Sequence, residues 1–322
     1  MKTKIYIKML FPLSFFGLIF RILEILFAIE PSSGFYSLDS FIPLLCNIYI
    51  FLVIAFFISG IFLTKTESKS IRKRLSAVNI ADKVIMIASA VFILGSALHD
   101  LLVEYQINFS YDSIKELFTD SKIYILILAA LSCVFIVFFA SDPKRYSSSS
   151  FMSILSLSLT FYYVLRLFTR FLDMNEILSK AYSTHTILLI GFIVLSQLNF
   201  SKILAGLRSK KYFVAFGLST VFLAILHLAE FVMYFFPGNP YNIPVDSIFA
   251  YIADFLVSAV ILRFILIVSK KQDKSEKNTV NLHNGPVLDH LISNDMSTEG
   301  SSSDTENINQ DFSQNTNADS NH

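Results

Sequence analysis

The chain has no tryptophan, only two cysteines among 322 residues, and 16% charged residues. Each scarcity excludes something. Cys46 and Cys133 both fall inside apolar runs, so they suggest neither a disulfide framework nor a thiolate metal cluster, and they leave the redox compartment unread. With no tryptophan, the rings expected at a membrane boundary are tyrosines such as Tyr105, Tyr182, Tyr212 and Tyr234. Nucleophile elbows, phosphate-binding glycine loops, His-Glu-x-x-His and Cys-x-x-Cys runs are also missing, which removes the commonest soluble catalytic and nucleotide-binding classes. The net charge of +1 averages basic loops with an acidic tail, and no nucleic-acid partner is expected from it.

What the chain has in quantity is apolar length. Hydrophobic residues make up 54% of it and mean hydropathy is +0.59. Runs of about 20 residues recur over the first 270 positions, each matching the roughly 30 Å hydrocarbon core of a bilayer. Eight spans are predicted, near residues 9–29, 41–64, 84–105, 123–140, 151–172, 184–200, 211–236 and 246–269. The expected fold is therefore an all-α polytopic transmembrane bundle of eight helices. Turn-forming clusters separate the runs, at Glu30-Pro31-Ser32-Ser33-Gly34, Asp142-Pro143 and Pro237-Gly238-Asn239-Pro240. Lys2, Lys4 and Lys8 followed by an apolar run outline a secretory signal. Arg21 and Glu24 within the run, with no small-residue cleavage site before Glu30-Pro31, predict a retained first span instead.

Orientation follows from lysine and arginine. They crowd the amino terminus, the loops after spans two, four and six, and the segment after span eight, whereas residues 30–40 and 236–246 hold none. Positive residues stay on the cytoplasmic side, so both termini are expected to be cytoplasmic. After Lys277 there is no lysine or arginine, while Asp289, Asp295, Glu299, Asp304, Glu306, Asp311 and Asp319 lie among serine and asparagine. Such a stretch cannot bury enough apolar surface to fold, so residues 273–322 read as a disordered acidic tail that would serve a protein partner, beside a membrane domain of residues 1–272.

The membrane domain also reads as a 4+4 parallel repeat, with halves 1–146 and 147–272. Phe20-Arg21-Ile22-Leu23-Glu24 aligns with Thr169-Arg170-Phe171-Leu172-Asp173, and Ala97-Leu98-His99 with Ile225-Leu226-His227.

Ionisable residues inside the spans are the candidate site, because they are expensive in hydrocarbon and concentrate where function needs them. Arg21 with Glu24, His99 with Asp100 and Glu104, Arg166 with Arg170 and Asp173, and His227 with Glu230 share helix faces; Asp254 joins a stripe of Ser247, Tyr251 and Ser258. At 1.5 Å per residue, Arg21, His99, Arg166, His227 and Asp254 fall about 18 to 24 Å from the cytoplasmic end of their spans, one common depth. Two arrangements satisfy such stripes. They can face a shared, outward-open polar cavity that binds a small solute or lipid head group, as in a transporter, or they can pair off and only fix helix packing, as in a scaffold or sensor. A membrane enzyme using His227 and Glu230 as acid and base is the third reading. Metal and haem readings of His99, His185 and His227 lack a clustered third ligand, so no metal and no cofactor are expected.

Arg21 to Glu24, followed by Glu30-Pro31-Ser32-Ser33-Gly34-Phe35-Tyr36 and another apolar span, resembles uncharacterised multi-pass membrane proteins of Gram-positive bacteria. The resemblance covers spans one and two. It implies a bacterial plasma membrane and no assigned activity.

Overall fold

A computed structural model of the protein describes residues 2–29, 36–37, 40–63, 75, 77–105, 121–146, 149–173, 181–234 and 248–269. Among them are eight long helices: α1 (Lys2–Phe27), α2 (Ile42–Leu63), α3 (Ile80–Tyr105), α4 (Ser121–Ser141), α5 (Ser150–Asp173), α6 (Ala181–Leu204), α7 (Lys210–Tyr234) and α8 (Ile248–Ser269). A short helical turn, Pro143–Tyr146, sits between α4 and α5. All eight are long and apolar enough to cross a membrane, so the chain is a multi-pass membrane protein. The acidic tail expected at residues 273–322 lies outside the described residues.

Helix ends follow local chemistry. Asp82, in the first turn of α3, accepts the Asn79 amide at 3.1 Å, the return half of a capping box. At the end of α6, Gly206 adopts φ 84° while Leu207 N–H reaches Lys202 O at 2.9 Å and Gly206 N–H reaches Ile203 O at 3.0 Å, a Schellman closure that needs the left-handed residue.

Neighbouring helices define the architecture. α3 lies against α4, α4 against α5, α5 against α6, α6 against α7, α7 against α8, and α8 returns to α3, closing a ring of six. The α1–α2 hairpin docks outside that ring, with both members against α7. α7 is therefore the central helix: 78% of its span is buried inside the protein, against 33% for α1 and for α2. Outward faces carry large apolar side chains, among them Phe11 and Phe15 on α1, Phe51 on α2, and Ile154 and Phe168 on α5, as a lipid-facing surface requires.

The two expected halves do not have equivalent surroundings. α6 packs beside α7, but their counterparts α2 and α3 are not a packed pair, and the α1–α2 hairpin stands outside a ring to which α5 and α6 belong. The pairings α1–α2 and α3–α4 do recur as α5–α6 and α7–α8.

Phe139 of α4, Phe200 of α6 and Phe264 of α8 meet inside the ring with centroids 4.8 to 6.1 Å apart, filling the end near the α6–α7 turn. On the hairpin side, α1 approaches α7 closely at Gly17. A Cβ there would stand 2.9 Å from Leu226 Cδ1 and 3.1 Å from Phe222, so the absence of a side chain sets the approach.

Candidate functional site

Among the described residues, two groups of buried intramembrane charges stand out, one around Arg21 and one around Arg166. The first joins α1 to α7. Arg21 Nη1 donates to Glu24 Oε2 at 2.6 Å, one turn away on its own helix, while Nε (3.2 Å) and Nη2 both donate to Glu230 Oε1. All three side chains are buried. His227, three residues before Glu230, brings Nδ1 to 3.1 Å from Glu230 Oε2, close enough for an ion pair but off the line of a hydrogen bond.

The hairpin loop completes this group from above. Ile29 and Tyr36 form an isolated antiparallel bridge and Ser37 N–H donates to Ala28 O at 2.8 Å, which folds Tyr36 back over the end of α1. Its hydroxyl donates to Glu24 Oε1 at 2.7 Å. Burial, and then the Glu24 carboxylate beside it, push the Tyr36 phenol well above the ordinary tyrosine value, so it stays a donor across physiological pH. From the other flank, α2 supplies Cys46 and α6 supplies His185. A ligand atom of each lies within 4.8 Å of the other and of Glu24, all three buried.

The second group spans the ring between α5 and α8. Arg166 Nη1 donates to Asp254 Oδ1 at 2.6 Å, and the Tyr163 hydroxyl donates to the same oxygen at 3.1 Å. The guanidinium also lies 5.8 Å from the Tyr163 ring centroid. Tyr251, one turn before Asp254, stacks on His227 with ring centroids 4.3 Å apart and planes 6° from parallel. That stack is the contact between the two groups.

A cavity of about 80 Å³ opens beside it, between α6, α7 and α8. Leu189, Ala224, Phe231 and Phe255 line it with His227 and Tyr251, so its wall is apolar except at the imidazole. Glu230 and Asp254 face arginines across helix interfaces, while Glu24 faces Arg21 along α1.

His99 is about 40% exposed, its ring 6.1 Å from Phe249 and its Nδ1 3.8 Å from Asp100, and it joins neither group. Arg170 is half-buried toward the end of α5, and the side chains of Asp173 and Glu104 lie outside those described. Arg263, which sequence position alone would leave reaching for lipid head groups, instead holds Asp82 across the α3–α8 interface, at 2.5 and 3.3 Å.

Three members lie outside the stripes that sequence spacing predicts: Tyr36 is in a loop, Cys46 is in the apolar run of α2, and His185, a haem candidate by residue type, lies near the start of α6. In the structure Cys46 and His185 each lie four residues inside the ends of α2 and α6 nearest Glu24, whereas the predicted start of span six, at residue 184, puts His185 at the boundary. The chain matches no family model, no curated protein and no solved structure.

Proposed function

We propose that this integral protein of the plasma membrane, with both termini cytoplasmic, binds a small cationic solute from outside in the group around Glu24, and that moving the solute is the activity it serves. One observation carries the reading: Arg21 faces two buried carboxylates, Glu24 and Glu230. Counting the guanidinium against the two carboxylates among the described residues, negative charge exceeds positive by one in a place where burying an unpaired charge is costly. Glu230 alone matches the guanidinium through two donors, so Glu24 is the surplus anion. Charge pairs that only fix packing have no use for a surplus.

The orientation rests on the lysine and arginine asymmetry of the loops. It puts Tyr36 and the Glu24 end of α1 outside, and an aromatic layer of Tyr49, Phe57 and Phe222 on the cytoplasmic side of the site. Access is then from the outer face past Tyr36. The small solute expected from the sequence is retained, with its charge now specified.

The test is a melting series on purified protein in lipid nanodiscs with sodium, potassium, calcium, zinc and choline chlorides. A cation present at a hundred times its dissociation constant stabilises by about 2.7 kcal/mol, and that gain should vanish in Glu24→Gln while persisting in His99→Gln. If none of the five raises the melting temperature, or Glu24→Gln responds as the parent does, the reading fails. An added cysteine at Ser33 that is labelled from the cytoplasmic side would overturn the orientation.

A further inference from the structure

Glu24, Cys46 and His185 belong to three different helices, α1, α2 and α6, far apart in the chain, yet their ligand atoms lie within 4.8 Å of one another. A carboxylate oxygen, a sulfur and an imidazole nitrogen are three of the donor types that zinc accepts, and zinc imposes no further geometric demand from its d electrons. Bonds of about 2.0 to 2.3 Å to a tetrahedral ion put donors about 3.3 to 3.8 Å apart. Separations within 4.8 Å call for a contraction of about 1.5 Å at most, of the size that rotamer adjustment supplies. We propose that this trio is a divalent metal site of the zinc class, with three protein ligands and a fourth position left for water or an incoming group. This rests on the cation-binding reading above and gives the cation a chemical identity.

Charge selects the ion. Without metal the group carries the one surplus negative charge of Glu24. When zinc binds, the Cys46 thiol gives its proton to solvent and becomes a thiolate, so two negative charges meet the two positive charges of the ion and the whole group becomes neutral. A monovalent alkali ion balances the surplus too, but has no affinity for sulfur or imidazole; calcium and magnesium prefer oxygen donors throughout. The supporting contacts already exist. Arg21 and the Tyr36 hydroxyl each hold one oxygen of Glu24, fixing the plane of its carboxylate as second partners of metal ligands do.

The full chain in nanodiscs, stripped with chelator and then titrated with zinc alone, should take up one ion per chain and release one proton for each ion bound. Cobalt in place of zinc should give a thiolate-to-cobalt charge-transfer band. Cys46→Ser should remove that band, and both Cys46→Ser and His185→Gln should weaken zinc binding about a hundredfold or more. His99→Gln should leave all three readouts unchanged. Retained zinc affinity in Cys46→Ser and His185→Gln, or stoichiometric cobalt without the charge-transfer band in the parent protein, overturns the site. Should the variants fail to fold, the cobalt band and proton release of the parent protein still decide. Absence of zinc binding together with stabilisation by another cation that Glu24→Gln abolishes would remove the metal and leave the cation-binding reading in place.

Discussion

Arg21 and Arg166 are both buried in the bundle, yet their partners differ in number. Arg166 meets Asp254 across the ring, one positive charge against one negative, with the Tyr163 hydroxyl on the same oxygen. Arg21 meets Glu24 and Glu230, and the loop brings Tyr36, α2 brings Cys46 and α6 brings His185 to the same place. A balanced pair between opposite members of a ring fixes which helices face each other and asks for nothing more. An unbalanced group with several donor types is incomplete without a further positive charge. If the proposed reading holds, identical arginine chemistry serves packing in one region and binding in the other, and the two should respond differently when a carboxylate is neutralised.

The largest effect is expected at the balanced pair. Asp254→Asn leaves the Arg166 guanidinium buried without its counter-charge and should lower stability by about 3–5 kcal/mol, read as a fall in melting temperature and in protein recovered from membranes. Replacing both partners, Arg166→Met with Asp254→Leu, should recover most of that loss, because removing a buried pair entirely leaves no stranded charge. A double variant as unstable as the single one would give this pair a role beyond charge balance.

Much of this contrast was hidden in the sequence, for reasons that can be located. Hydropathy made all eight spans legible, since a bilayer imposes both length and apolarity on every crossing. Helical spacing made Arg21–Glu24 and His227–Glu230 visible, because neighbours three apart on one helix need no tertiary information. The partner of Arg21 on α7, 209 residues away, was not legible. It depends on the α1–α2 hairpin docking outside the ring, and no short-range pattern encodes the order of helices. The grouping of Cys46 with His185 is hidden for the same reason: only the approach of α1, α2 and α6 makes a ligand set of them with Glu24.

A smaller effect should separate the regions by position. At Gly17→Ala the new Cβ would meet Leu226, Phe222 and Tyr49 at 2.9 to 3.2 Å, and displacing α1 from α7 should cost about 1–3 kcal/mol. The same displacement pulls Arg21 from Glu230 while leaving the ring untouched. Cation-induced stabilisation should fall in this variant; an undiminished response would detach the site from the hairpin's docking.

Smaller again is Tyr36→Phe, which deletes one hydrogen bond to Glu24 and should cost about 1 kcal/mol near neutrality. Its pH dependence carries more information than its size. The folded-state phenol is raised above its unfolded value near 10, so its contribution is fully present below that value and is lost as pH climbs through the higher folded one. Melting temperatures of the parent should therefore decline from about pH 10 upward by a component that Tyr36→Phe lacks. Parallel curves for the two proteins over that range would mean that Tyr36 is not held on Glu24.

The smallest change in stability is expected where the chemistry changes most. Glu24→Gln removes the surplus charge but keeps an oxygen for Arg21 Nη1, and the Tyr36 hydroxyl can turn from donor to acceptor to meet the new amide. Arg21 still has Glu230 through two donors, so no charge is stranded. Without added cation, Glu24→Gln should melt within about 1 kcal/mol of the parent or above it, since losing a modest hydrogen bond is offset by losing an uncompensated buried charge. Asp254→Asn makes the same chemical substitution and should lose several times as much. Equal destabilisation in the two variants would mean that Glu24 is structural, as Asp254 is, and that the surplus negative charge has no ligand to meet.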